Sequence, residues 1–135
     1  MKILIELPTW MGDAVMASAA IENIVNYYNS PEITLIGSSI SIEILKNHPC
    51  VKRSHVLTKK YISLIKIVRN LSDFDVFFSF RSSLRSTILK LLVSSKNKYQ
   101  YKNSQYQNRH QVEKYNDFVN DSLDTNFLAG KLVVH

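Results

Sequence analysis

The feature that most constrains this chain is a hydrophobic period that keeps changing. Residues 2–7 are a short apolar run, with Ile3, Leu4, Ile5 and Leu7 closed by Pro8. That length and branching predict a buried strand. From Ala14 the period switches: Ala17, Ile21, Ile24 and Tyr28 recur at i, i+4, i+7 and i+11, one face of a helix over residues 14–29. Ala14, Ala17 and Ala20 keep that helix slim enough to lie close on a sheet. The alternation then repeats. Residues 32–37 predict a second strand, 40–46 a short helix and 52–57 a weaker third strand. Tyr61, Leu64, Ile65, Val68 and Leu71 form another helical stripe, and 75–80 an aromatic strand. Residues 84–93 predict a helix with Leu84, Ile88, Leu91 and Leu92 on its apolar side. A polar edge strand over 99–102 and a helix over 110–123, carrying Val112, Tyr115 and Phe118 or Val119, complete the pattern. Strands alternating with helices imply an α/β fold: a Rossmann-like parallel sheet with helices on both faces and right-handed crossovers.

A length of 135 residues suits a single domain over 1–135. Residues 124–135 have no clear period and end in the apolar Leu132-Val133-Val134, the ending expected of a chain cut at a domain boundary. One cysteine excludes an internal disulfide and fits a reducing compartment. No apolar run approaches the ~20 residues that span a bilayer, and the alternating start is unlike a signal peptide, so a cytoplasmic location is expected. The formal net charge of +6 favours anionic partners: nucleic acid, phosphorylated small molecules or an anionic membrane surface.

In such sheets ligands bind beyond the carboxyl ends of the strands, where chain order reverses. The loop after the first strand is Leu7-Pro8-Thr9-Trp10-Met11-Gly12-Asp13. Its single glycine makes it neither a dinucleotide fingerprint nor a phosphate-cradling P-loop. Asp13 has two compatible readings. It is the N-cap of the helix from Ala14, or a carboxylate held at a crevice to take a proton from a substrate hydroxyl. Trp10 reads as partial core or as a platform beside the Gly12-Asp13 turn. With strand order 3-2-1-4-5, Asp13 would face Ser82 and Ser83 across the switch point. There, hydroxyls and helix-start N–H groups make an anion site that Arg81 or Arg85 could complete. The plainer reading of that segment is Ser83 as an N-cap with both arginines solvated.

Other chemistry finds less support. Lys52, Arg53, Lys59, Lys60, Lys96, Lys98, Lys102 and Arg109, with Tyr99, Tyr101 and Tyr106 interleaved, have a single-strand-binding texture, but no nucleic-acid-binding pattern organises them. No nucleic-acid partner is expected. His48, Cys50 and His55 match no zinc spacing and lack a fourth ligand, so a loop histidine and a packed thiol are expected, with no metal.

Residues 1–5 followed by Leu7-Pro8-Thr9-Trp10-Met11-Gly12-Asp13-Ala14-Val15-Met16 resemble the opening of ADP-heptose:lipopolysaccharide heptosyltransferases of glycosyltransferase family 9, in the form with Trp that is typical of heptosyltransferase II. Ser83-Leu84-Arg85-Ser86 is similar to that family's Ser-x-Lys/Arg-Ser segment. His110-Gln111-Val112-Glu113-Lys114-Tyr115 is similar to its His-x-Val-Glu-Arg/Lys-Tyr helix start. The resemblance implies the amino-terminal, acceptor-side half of a GT-B fold, with the donor-binding carboxy-terminal domain absent. It implies an inverting transfer without a metal or other cofactor, in which ADP-heptose is the donor substrate and the lipopolysaccharide inner core the acceptor, met at the cytoplasmic face of the inner membrane. Asp13 would be the general base. Thr9, Trp10, Gly12, Arg81, Ser82, Ser83, Arg85, Lys59 and Lys60 would be on the acceptor side. Without a donor domain the chain alone would be inactive. Two departures stand out: Arg81-Ser82 replaces the family's Pro-Asn, and Ser94-Ser95-Lys96-Asn97-Lys98-Tyr99 replaces its Gly- and Arg-containing loop. The alternative is a stand-alone, non-catalytic module binding an anionic glycan or lipid headgroup.

Overall fold

A computed structural model describes residues 1–57, 61–71, 73–102 and 111–123. The elements run β1 (Lys2–Glu6), α1 (Met11–Tyr27), β2 (Glu32–Gly37), α2 (Ser39–Leu45), β3 (Val51–Val56), α3 (Tyr61–Asn70), β4 (Phe74–Ser79), α4 (Leu84–Leu92), β5 (Ser95–Gln100) and α5 (Gln111–Leu123). The five strands form one all-parallel sheet in the order β3-β2-β1-β4-β5. The chain starts in the middle, winds outward one way and then returns to wind the other way. This places the switch point between β1 and β4, the arrangement on which the facing of Asp13 with Ser82 and Ser83 depends.

The period-2 alternation of β1 divides the core. Ile3 and Ile5 point into a cluster with Ile33, Leu35, Val76 and Phe78, roofed by α1, α2 and α5. Leu4 points the other way, with Ile36, Phe77, Leu64 of α3 and Leu89 of α4. Ala14, Ala17 and Ala20 are fully buried, so their small side chains do let α1 lie close on the sheet. Both Phe118 and Val119 of α5 are buried, and α5 is tied to α1 by a hydrogen bond of 2.5 Å from Asn23 Nδ2 to Asn116 Oδ1.

Three expectations are corrected. On α4 the buried residues are Ser86 and Leu89, followed by Val93, while Leu84 and Leu91 are 72% and 74% exposed. The predicted apolar side therefore faces outward, because periodicity finds a stripe without saying which stripe meets the sheet. On α3, Ile67 packs in the core with Leu64, Val68 and Leu71, while Ile65 is exposed. The stretch read as a loop from Ser94 is largely the edge strand β5, paired from Phe74↔Ser95 to Ser79↔Gln100. Its lysines are what an edge strand carries when it must not recruit another chain.

The turn after α1 has no glycine. Asn29 and Ser30 both take left-handed conformations (φ 55° and 60°), and the Ser30 N–H donates to the Val25 carbonyl at 3.1 Å. An L side chain pays a steric penalty there. Ser30→Gly should raise the unfolding free energy by about 1 kcal/mol, readable as a higher thermal midpoint. An unchanged or lower midpoint would contradict that penalty.

Candidate functional site

The loop from β1 to α1 is only four residues long and is held from outside. Ser38, the N-cap of α2, donates its hydroxyl to the Thr9 carbonyl at 2.7 Å, and the Ser41 hydroxyl donates to the Pro8 carbonyl. The Leu7 N–H donates to the Ile36 carbonyl at 2.9 Å, and a Cβ on Gly37 would stand 3.2 Å from the Leu7 Cβ. Glycine is what allows β2 to end so close to this loop.

Helix α1 starts earlier than its apolar period suggests. Its N-cap is Trp10, with no side-chain cap, and the Trp10 carbonyl accepts from Ala14 N–H at 3.0 Å. Asp13 is thus not the N-cap; it lies in the first turn, half-buried. A carboxylate there still lies beside unpaired helix-start N–H groups and the positive end of the dipole.

Across the switch point, Ser83 caps α4 by accepting from the Ser86 N–H at 3.2 Å. The Gln100 amide donates to the Arg81 carbonyl at 3.1 Å, fixing the β4–α4 loop to the edge strand. An open crevice of about 380 Å³ lies between the two loops. Thr9, Trp10 and Asp13 line one side of it, Arg81, Ser82 and Ser83 the other, with Phe80, Tyr101 and Tyr115 also contributing. Trp10 is 72% exposed, an indole at the crevice rather than a core residue. Gly12 is exposed, with open space where a Cβ would sit, and Arg85 does not line the crevice. Lys59 and Lys60 lie outside the described residues.

Beneath this floor sits a group that the sequence reading missed. Glu6, at the end of β1, is 1% exposed and accepts from Ser79 Oγ at 2.5 Å, with Arg81 Nη1 3.9 Å from its other oxygen. Arg81 and Arg85 are therefore not simply solvated: Arg81 is only 26% exposed, and Nε and Nη2 of Arg85 are buried with no hydrogen-bond partner among the described residues. Burial pushes the Glu6 carboxyl above its ordinary value. The Ser79 and Ser86 hydroxyls and the two guanidinium groups pull the other way without cancelling it. The available signal was parity: Glu6 falls on the same strand face as Leu4, an inward position for a charge.

Because folded Glu6 holds its proton more tightly than the unfolded chain does, its contribution to stability is fully present below about pH 4.5. It is lost as pH rises towards the folded value. Glu6→Gln, always neutral, should therefore gain thermal midpoint relative to the parent as pH is raised from 4 to 7. A pH-independent difference would contradict the burial effect.

His48 and Cys50 are packed into the fold. His48 lies in the loop between α2 and β3, as expected, and is buried there. Its Nε2 lies 2.6 Å from Glu22 Oε1, and its Nδ1 accepts from the Cys50 N–H at 3.0 Å. Cys50 packs on the core. Among the described residues, no three His, Cys, Asp or Glu side chains come together as a metal site, and no helix is long and apolar enough to cross a membrane.

No protein-family model matches the chain. It is 34% identical over 127 residues to lipooligosaccharide heptosyltransferase 2 of Campylobacter jejuni serotype O:2, and 33% identical to that of serotype O:6. Each alignment covers 91% of this chain and 39% of the relative. Among solved structures, a glycosyl transferase family 9 protein of Veillonella parvula superposes with a TM-score of 0.82 at 13% identity, over 99% of this chain and 44% of that one. The E. coli heptosyltransferase WaaC with ADP-2-deoxy-2-fluoro heptose gives 0.80 at 14% identity, over 98% and 51%. E. coli ADP-heptose lps heptosyltransferase II gives 0.73 at 15% identity, over 100% and 46%. The chain is thus a homologue of the lipooligosaccharide heptosyltransferases over about two fifths of their length, and it has the Rossmann-like sheet found within the GT-B fold of family 9 heptosyltransferases.

Proposed function

We propose that this chain is the amino-terminal, acceptor-side domain of an inverting, metal-independent heptosyltransferase that moves heptose from ADP-heptose to the lipopolysaccharide inner core. The observation that carries the reading is the meeting of Asp13 with Arg81, Ser82 and Ser83 across one crevice at the carboxyl ends of β1 and β4. The donor half belongs to the remainder of a longer protein. The acceptor reaches the crevice from the cytoplasmic face of the inner membrane.

In this reading Asp13 is the general base. It takes the proton of the acceptor hydroxyl as that oxygen attacks the anomeric carbon of the heptose, while ADP departs from the opposite face with the bonding electrons. One displacement from one side inverts the centre. The developing positive charge on the sugar ring favours an ionised carboxylate nearby, and the α1 dipole favours the same charge state. Arg81, braced from below by Glu6, turns positive charge towards the phosphates and acidic sugars of an inner-core acceptor. The hydroxyls of Thr9, Ser82 and Ser83 supply hydrogen bonds to its sugar oxygens, and Trp10 an apolar face.

Calorimetric titration of the 135-residue chain with an inner-core Kdo-lipid fragment, and separately with ADP, tests the division of labour. Acceptor binding with no ADP heat is expected. ADP binding to this chain would reverse the assigned roles.

A further inference from the structure

We propose that the α3–α4 side of the domain is a docking surface for an anionic lipid bilayer, with α4 lying along the membrane interface. The first observation is the outward stripe of α4. Leu84, Leu91 and Leu92 are 72%, 74% and 46% exposed, while Leu89 and Val93 turn the opposite way into the core. Ile88, one turn on from Leu84, is only partly covered. Large aliphatic groups one and two turns apart on the solvent side of a helix favour an apolar environment outside the molecule.

Charge selects the bilayer over other apolar partners. The helices α3 and α4 hold four cations and no acidic residue. Of these, Lys66 and Arg69 face solvent on this side, whereas the Arg85 guanidinium is turned inward beside Glu6 and Lys90 lies towards the β5 edge with Asp121. The adjoining uncovered part of the sheet adds a hollow lined by Lys2, Lys52 and Arg53 with a single acid, Glu32. The opposite layer has the reverse sign: α1 and α5 hold Asp13, Glu22, Glu113, Asp117 and Asp121 against Lys114 alone. The helix charges are therefore of opposite sign on the two faces of the sheet. An anionic surface attracts the α3–α4 side and repels the α1–α5 side, which orients the domain before any apolar group inserts. Since Ser83, the N-cap of α4, lines the crevice, seating this helix on lipid brings the crevice to the interface.

None of this depends on the crevice chemistry, so an assay without acceptor separates it from the transferase reading. The 135-residue chain is sedimented with vesicles of phosphatidylglycerol and phosphatidylethanolamine, and with vesicles of phosphatidylcholine. Binding to the anionic vesicles, at least about tenfold tighter than to phosphatidylcholine and weakened by salt, is expected. The pairs Leu84→Ser with Leu91→Ser, and Lys66→Glu with Arg69→Glu, should each reduce it at least about tenfold. Lys46→Glu, beyond α2 on the other side, should not. Thermal unfolding verifies folding, and should either pair fail to fold, Lys66→Glu alone stands in with a smaller loss. Three outcomes would overturn the proposal: equal or absent binding to the two vesicle types, parental binding by the folded variants, or a lipid-free dimer that Leu84→Ser with Leu91→Ser dissolves.

Discussion

Asp13→Asn, placed in a full-length transferase that carries this domain, should lower turnover by about 10²–10⁴-fold, the range general-base catalysis supplies. The midpoint of that range corresponds to about 4 kcal/mol of barrier. The substitution keeps shape and hydrogen-bonding capacity but removes the basic oxygen. Asp13 is half-buried in the first turn of α1 and does not cap it, so the fold loses no cap hydrogen bond. The thermal midpoint should move little, and acceptor affinity should stay near that of the parent because Thr9, Trp10, Arg81, Ser82 and Ser83 remain. Steady-state kinetics beside acceptor titration check both halves. Near-normal turnover would remove Asp13 from the chemistry, and a collapse of acceptor affinity would make it a binding residue instead.

The second large effect is on stability. Phe78 is fully buried in the middle of the sheet, its ring 5.3 Å from Tyr99 and 6.2 Å, edge-on, from Phe118 of α5. Phe78→Ala removes that ring and leaves a cavity between β4, β5 and α5, at an expected cost of about 3–5 kcal/mol. Domains of this size are stable by only about 5–15 kcal/mol, so the variant should unfold at far lower urea. Leu91→Ala, at a position 74% exposed, should change stability by no more than about 0.5 kcal/mol. Both are changes from a large apolar residue to alanine; urea titrations that failed to separate them would contradict the assignment of the buried face.

That comparison shows where the sequence is legible. β2 could be read to the residue because Ile33, Leu35 and Ile36 are bounded by Pro31 and Gly37. The parallel sheet followed from alternation and the handedness of crossovers, whereas its order β3-β2-β1-β4-β5 was one arrangement among those that satisfy both. Helix α4 carries two apolar stripes, and the larger one faces out, so local hydrophobicity pointed the wrong way. β5 was half-missed because an edge strand of Ser, Lys and Asn has no apolar signal to read. At the crevice, Asp13, Thr9, Trp10 and Arg81 to Ser83 were visible because they lie in loops of marked composition. Glu6, Tyr101 and Tyr115 were not visible as site residues, because only the packing of distant elements brings the two tyrosines to the crevice and Ser79 and Arg81 against Glu6 beneath it.

The hydrogen bond from Asn23 to Asn116 spans 93 positions of chain. It joins the first helix to the last described one, and Tyr115, next to one of its partners, lines the crevice. During synthesis from the amino terminus, β1, the Asp13 turn and the β4–α4 loop all exist before α5 has emerged. The crevice therefore gains its last side only when α5 docks across the finished sheet. Completion of the crevice is then a late event in the life of the chain, coincident with the closing of its core rather than with the making of its strands.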